Sequence, residues 1–205
     1  MRKYLIKHIL IISLIFISTP IVQSIEAEEK PHVNLRPYYK GLSVSEVQEM
    51  PNVAIRKKEK RGFYGHSTIN HGYYSKTING DKVVIDHATG LMWCQSGSDK
   101  YMSWKKAKNW VKELNRKSYA GYNDWRLPTL EEAASLLESD KKNHNLYIDP
   151  VFDKTQWSIW TGDSHIEKDA LSLDGAWRVS FNDSIVYWSS DIYGIFYVRP
   201  VRLGK

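Results

Sequence analysis

The sequence predicts an α+β fold, with two helices set inside a run of antiparallel strands and long loops. Three observations carry that expectation. Trp125-Arg126-Leu127-Pro128-Thr129 joins an aromatic anchor and a cation to a proline that cannot continue a strand ladder. Thr129 with Glu132 three residues later forms a capping-box pattern, and Leu130, Ala133, Ala134 and Leu137 follow at helical spacing. In Trp177-Arg178-Val179-Ser180-Phe181 apolar and polar residues alternate, the pattern of a half-buried strand.

The chain divides into residues 1–27, 28–82 and 83–203. The first part reads as an export signal: Arg2, Lys3 and Lys7 precede an apolar stretch from Ile9 to Val22, with small residues at Ser24 and Ala27. That stretch is short for a membrane span, so the membrane is expected to be met only during export. Residues 28–82 read as a partly irregular leader. Within it, Ser43 to Met50 can form a short helix, capped by Ser43 or Ser45 and ended by Pro51. Arg56 to Gly80 is rich in Gly, His, Asn and Tyr without a sustained apolar period, so surface chain with patches of strand is expected.

Asn79-Gly80-Asp81 is a hairpin turn ahead of a strand from Lys82 to Ile85. Asp86 to Gly90 is a turn, and Leu91-Met92-Trp93-Cys94 a buried strand. Ser103 is placed to cap a helix that runs to about Arg116, with Trp104, Ala107, Val111 and Leu114 on one face. The second helix runs from Thr129 to about Glu138. Strands are expected at Trp157–Thr161, Ala176–Phe181, Ile185–Trp188 and Ile195–Val201. Asn182-Asp183-Ser184 reads as a hairpin turn.

Charge is unevenly placed. The net formal charge is +6, yet residues 86–205 carry sixteen charges of each sign. The basic excess concentrates in Arg56-Lys57-Lys58-Glu59-Lys60-Arg61. Such a run is either a solvated linker or a patch for a polyanion, and export argues against nucleic acid as the partner. The single cysteine, Cys94, excludes an internal disulfide and sits in an apolar run as a small buried residue would.

Four ordered segments resemble a known family: Thr89-Gly90-Leu91-Met92-Trp93, Trp125-Arg126-Leu127-Pro128-Thr129, Ala176-Trp177-Arg178-Val179-Ser180-Phe181 and Tyr197-Val198-Arg199-Pro200-Val201-Arg202. They follow in the order seen in the Lcl C-terminal domain family, named from the collagen-like adhesin of Legionella. The resemblance covers about residues 83–203. It implies a C-type-lectin-like domain with a twisted antiparallel sheet, distantly related to the formylglycine-generating enzyme and sulfatase-modifying group. It makes Trp93, Trp125, Arg126, Pro128, Thr129, Trp177, Arg199 and Arg202 structural motif residues. Two departures stand out: Cys94 replaces a common glutamine, and Ser184 ends a turn that glycine usually ends.

The catalytic equipment of the related enzymes is not carried over, because a pair of cysteines is needed and this chain has one. No GxSxG, HExxH or CxxC occurs, and neither do the sugar-binding EPN or QPD motifs of calcium-dependent lectins. No cofactor is expected. Weaker candidates are His66 with His71 for a metal, Asp86 with His87 for acid–base work, and Asp149, Asp153, Asp163, Asp169 and Asp174 for calcium. Solvated or structural roles explain each more simply. Trp93, Trp104, Trp125 and Trp177 lie in apolar contexts and are expected in the core. Trp157, Trp160, Trp188 and Tyr193, with Tyr197 near them, are the candidate ligand-binding aromatics. Arg56, Lys57, Lys58, Lys60 and Arg61 are the candidate polyanion-binding residues. These features point to an exported, non-catalytic recognition or adhesion module of a bacterial envelope, with a glycan or an envelope or surface protein as partner. It would be periplasmic, surface-bound or secreted. The alternatives are an envelope enzyme or maturation factor and a purely structural domain, and the oligomeric state is left open.

Overall fold

The computed structural model describes residues 33–166, 175–190 and 194–204. The export signal, Asp169, Asp174 and Tyr193 therefore lie outside the described residues. The elements run β1 (Gly41–Leu42), α1 (Val44–Val47), β2 (Val53–Glu59), β3 (Gly62–Ser67), β4 (Tyr73–Ile78), β5 (Asp81–Asp86), β6 (Leu91–Cys94), α2 (Trp104–Arg116), α3 (Leu130–Ser135), β7 (Ser158–His165), β8 (Gly175–Ser180), β9 (Ile185–Ser190) and β10 (Val201–Leu203). This is an α+β fold. Six strands form one sheet in the order β1-β7-β8-β9-β3-β2, and four form a second in the order β10-β6-β5-β4. Among the named strands, β1 and β7 are the one parallel pair.

Each short helix starts where its sequence supplies a cap. Thr129 and Glu132 make the full reciprocal capping box of α3, and Ser43 with Glu46 makes the same box on α1. Ser103 holds the N-cap position of α2 but its side chain makes no cap bond. That helix depends instead on the packing of Ala107 and Val111.

The segment ahead of residue 83 is denser in strand than its sequence suggests. It supplies β1, β2 and β3 to the large sheet and β4 to the small one. The apolar period is weak there because β2 and β4 bury no side chain fully and need few apolar residues. In β3 the burial is borne by Phe63, with Gly62 and Gly65. The basic run is correspondingly no linker. Arg56, Lys57 and Lys58 belong to β2, an edge strand, and Lys60 and Arg61 to the turn into β3.

Two cores lie against the two faces of the central strands. Trp93, Leu130, Leu137, Phe152, Trp177, Val179 and Phe181 belong to the core around α3. Met92, Cys94, Val111, Trp125, Trp160, Ala176 and Val198 belong to the core beneath α2. Consecutive residues of β6 alternate between the cores, so that strand is apolar throughout. β8 behaves likewise, and every residue in it is buried. The half-buried reading of Trp177–Phe181 is thus corrected: Arg178 and Ser180 are buried polar residues, not solvent-facing ones. Cys94 is buried as expected, and burial pushes its thiol well above the ordinary range.

Two local departures have visible causes. The last expected strand shortens to Val201–Leu203, because Phe196 and Tyr197 make isolated bridges to different neighbours instead of one ladder. Ser184 adopts a left-handed φ of 55° in the β8–β9 turn. Its Oγ donates to the Gly65 carbonyl at 2.6 Å and its own carbonyl accepts from Gly65 N at 3.1 Å, which offsets the conformational cost.

Candidate functional site

The motif arginines are structural, and each has a specific task. Arg126 makes a two-pronged ion pair with buried Glu132, both bonds at 2.6 Å. Asp124 pairs with Arg202. Arg199 donates to the carbonyls of Cys94, Gln95 and Asp153 and to the Gln156 side chain, so it ties β6 to the segment before β7. Trp93, Trp125 and Trp177 are buried, and Pro128 offers its carbonyl to Gly162 N at 2.8 Å.

Among the described residues His71 and the acidic candidates are also committed, while His66 Nδ1 is buried without a hydrogen-bond partner. Asp86 binds His71, not its neighbour His87: His71 Nδ1 lies 2.8 Å from the Asp86 carboxylate and His71 Nε2 lies 2.8 Å from the Ser135 carbonyl. Both partners are acceptors, so the ring serves both only with hydrogen on each nitrogen. His87 stacks on Tyr74. Asp163 is fully buried and accepts from Arg36, Lys40 N and Leu130 N, fastening the chain before β1 to the start of α3. Asp149 and Asp153 accept from Val151 N and Thr155 N in their own turns. Among the described residues no three His, Cys, Asp or Glu side chains converge as a metal site would need.

The candidate aromatics separate sharply. Trp160 is 0% exposed, and its Nε1 donates to the Met102 carbonyl at 2.8 Å. It is a core residue, and its place as a ligand contact is corrected. Trp188 is also buried: His165 stacks on it with ring centroids 4.1 Å apart and the Arg61 guanidinium lies 5.0 Å from its ring. Sequence alone did not show these covers, because both come from segments distant along the chain. Trp157, by contrast, is 40% exposed.

A three-segment arrangement places Trp157 in company. Tyr197 N donates to Ser158 O and Trp160 N donates to Tyr197 O, which lays the 196–197 segment beside β7. On its other side, Met102 and Phe196 exchange both backbone bonds. Adjacent side chains then alternate between faces. Phe196 turns inward against Trp160, while Tyr197 lies edge-on to both Trp157 at 6.3 Å and Tyr101 at 6.0 Å. Tyr101 is 56% exposed and Tyr197 half-buried. The result is an exposed aromatic row, Trp157–Tyr197–Tyr101, on a hydrogen-bonded base. Tyr101 sits in a polar sequence context, and only the bridge between Met102 and Phe196 reveals its membership.

The basic candidates do not form one stripe. The strand bulges between Ile55 and Lys57, Lys57 pairs with Tyr64, and Lys58 pairs with Phe63 on the alternate face. Arg56 lies over the Tyr147 ring and Lys57 over Tyr64. Lys57 is further bound to Glu59. A concavity opens on the Tyr64 face of the large sheet. It holds about 460 Å³ and is lined by the β2–β3 turn, Tyr64, Tyr187, Arg178 and Asp183.

A model of the Lcl C-terminal domain family matches residues 82–202. No curated protein and no solved structure matches the chain.

Proposed function

For a chain that belongs to the Lcl C-terminal domain family, we propose the role of an exported, non-catalytic recognition or adhesion module that binds a glycan or an envelope protein. The domain would be C-type-lectin-like, and the protein would act in the periplasm, on the surface or after secretion. The observation that carries this reading is the exposed row of Trp157, Tyr197 and Tyr101. Aromatic faces stack on the apolar side of sugar rings and on protein side chains, and here three of them stand together on a fixed backbone. The buried titratable groups support the same reading, since His71, Asp86, Glu132 and Asp163 are each tied to structural partners.

Trp157 and Tyr101 are the residues on which binding should depend. Their exposure means that Trp157→Ala and Tyr101→Ala should change stability little. The test is a glycan array of the purified protein, followed by titration of the best hit with wild type and both variants. Loss of affinity by tenfold or more in Trp157→Ala is the expected result. Unchanged affinity in both variants rejects the row as the site.

A further inference from the structure

We infer that the concavity beside Arg178 is a binding site for an oxyanion group, with the Arg178 guanidinium as the charge that meets it. This rests on residues other than the aromatic row, so either reading can fail alone.

The first observation is the state of Arg178. The residue is 6% exposed and lies in β8 with its side chain on the face that carries Tyr187. Its Nη1 donates to the Ser158 hydroxyl at 2.7 Å, and Nε is buried with no hydrogen-bond partner. Its guanidinium carbon is 3.5 Å from the Tyr187 ring centroid and 4.0 Å from that of Phe196. No carboxylate lies within ion-pair distance of it among the described residues. The other buried or half-buried arginines differ. Arg36 pairs with Asp163 and Glu131, Arg126 with Glu132 and Arg202 with Asp124, while Arg199 is held by carbonyls and an amide. Arg178 alone among these has only a neutral hydroxyl and two rings. Burial accordingly pulls its pKa down to about 9, with only a distant opposing pull from Asp183. A buried cation without an anion is costly, and evolution of a structural site ordinarily supplies the anion or removes the cation.

The second observation is the concavity that Arg178 lines. Tyr64, Ile185 and Tyr187 line it together with the cations Lys60 and Arg61 and the acids Glu59 and Asp183. Of the acids, Glu59 is already bound by Lys57, while Asp183 accepts from the neutral Ser180 hydroxyl at 3.3 Å and keeps its charge, one acid against three cations. With Nη1 engaged by Ser158 and Nε buried, Nη2 is the donor left to meet an oxygen of a carboxylate, sulfate or phosphate. An oxyanion there would supply the missing counter-charge, and the lining tyrosines would take the ring or chain that carries it.

The test is calorimetric titration of the full chain with sodium sulfate, sodium phosphate and sodium glucuronate in low-salt buffer, with glucose as the uncharged control. Wild type should show saturable binding of at least one anion and none of glucose. Arg178→Met, which fills the space without the charge, should abolish that binding while leaving the melting temperature unchanged or higher. The tightest of the three anions then identifies the source as a sulfate ester, a phosphate or a uronic acid. Should Arg178→Met fail to fold, Lys60→Ser serves instead. Lys60 is exposed, and its loss should weaken the binding severalfold with the melting temperature unmoved. Saturation by none of the anions overturns the inference. So does equal affinity in wild type and whichever variant is read.

Discussion

At the scale of single residues, buried polar groups are placed where one hydrogen bond decides their cost. Asp86 is the clearest. Burial alone pushes its carboxyl up, but the hydrogen bond and charge of His71, with bonds from Thr89 and from Ala88 N, outweigh that and leave it below the ordinary range. The folded protein then binds fewer protons than the unfolded chain in acid. The stability contributed by this carboxylate is complete above the unfolded pKa of about 3.9 and drains as pH falls toward the folded value. Asp86→Asn should therefore be less stable than wild type at neutral pH, and the gap should narrow as pH falls from above the unfolded pKa of about 3.9 to below it. Melting temperatures across that range check it; parallel curves for the two proteins would sink the assignment. Ser184 follows the same logic. A side chain in a glycine conformation persists because its hydroxyl finds the Gly65 carbonyl.

At the scale of elements, the junction from Trp125 to α3 is the best-specified part of the chain. Arg126 bridges to Val201 through its backbone and to Glu132 through its side chain, so one residue joins β10 to the helix. Glu132 is 1% exposed and also accepts from Thr129 N. Arg126→Met strands that carboxylate and should cost about 3 kcal/mol in urea unfolding. A loss under about 1 kcal/mol would mean that water reaches the carboxylate and that the pair matters little. This junction was legible in sequence because proline, cap and helical period agree within a dozen residues. β5, β6, β7, β8 and β9 were legible for a similar reason, as apolar runs bounded by turns. What was not legible depends on distant partners. β2 and β4 bury no side chain fully and their apolar period is weak, and Trp160 and Trp188 are covered by Met102, Phe196, Arg61 and His165. Of the candidate aromatics, Trp157 keeps an exposed face, and Tyr101 joined it only through tertiary pairing.

At the scale of the whole molecule, the central strands belong to both cores at once. Trp93 packs into one and Cys94 into the other. Loosening either core withdraws the strands that the second needs. Thermal unfolding followed by tryptophan fluorescence and by far-ultraviolet circular dichroism should therefore give coincident transitions. Two separated midpoints would show that the cores melt independently. The strand order carries a further consequence, for the time course of folding. β1 needs β7, β3 needs β9 and β6 needs β10, so the strands of the first half find these partners only in the second. A chain growing from its N-terminus accumulates unpaired edges on β3 and β6, and neither sheet is complete until the stretch beyond residue 185 emerges. Closure is then dominated by long-range pairing, which places folding in the millisecond-to-second regime and leaves the incomplete chain unfolded for as long as it is being made.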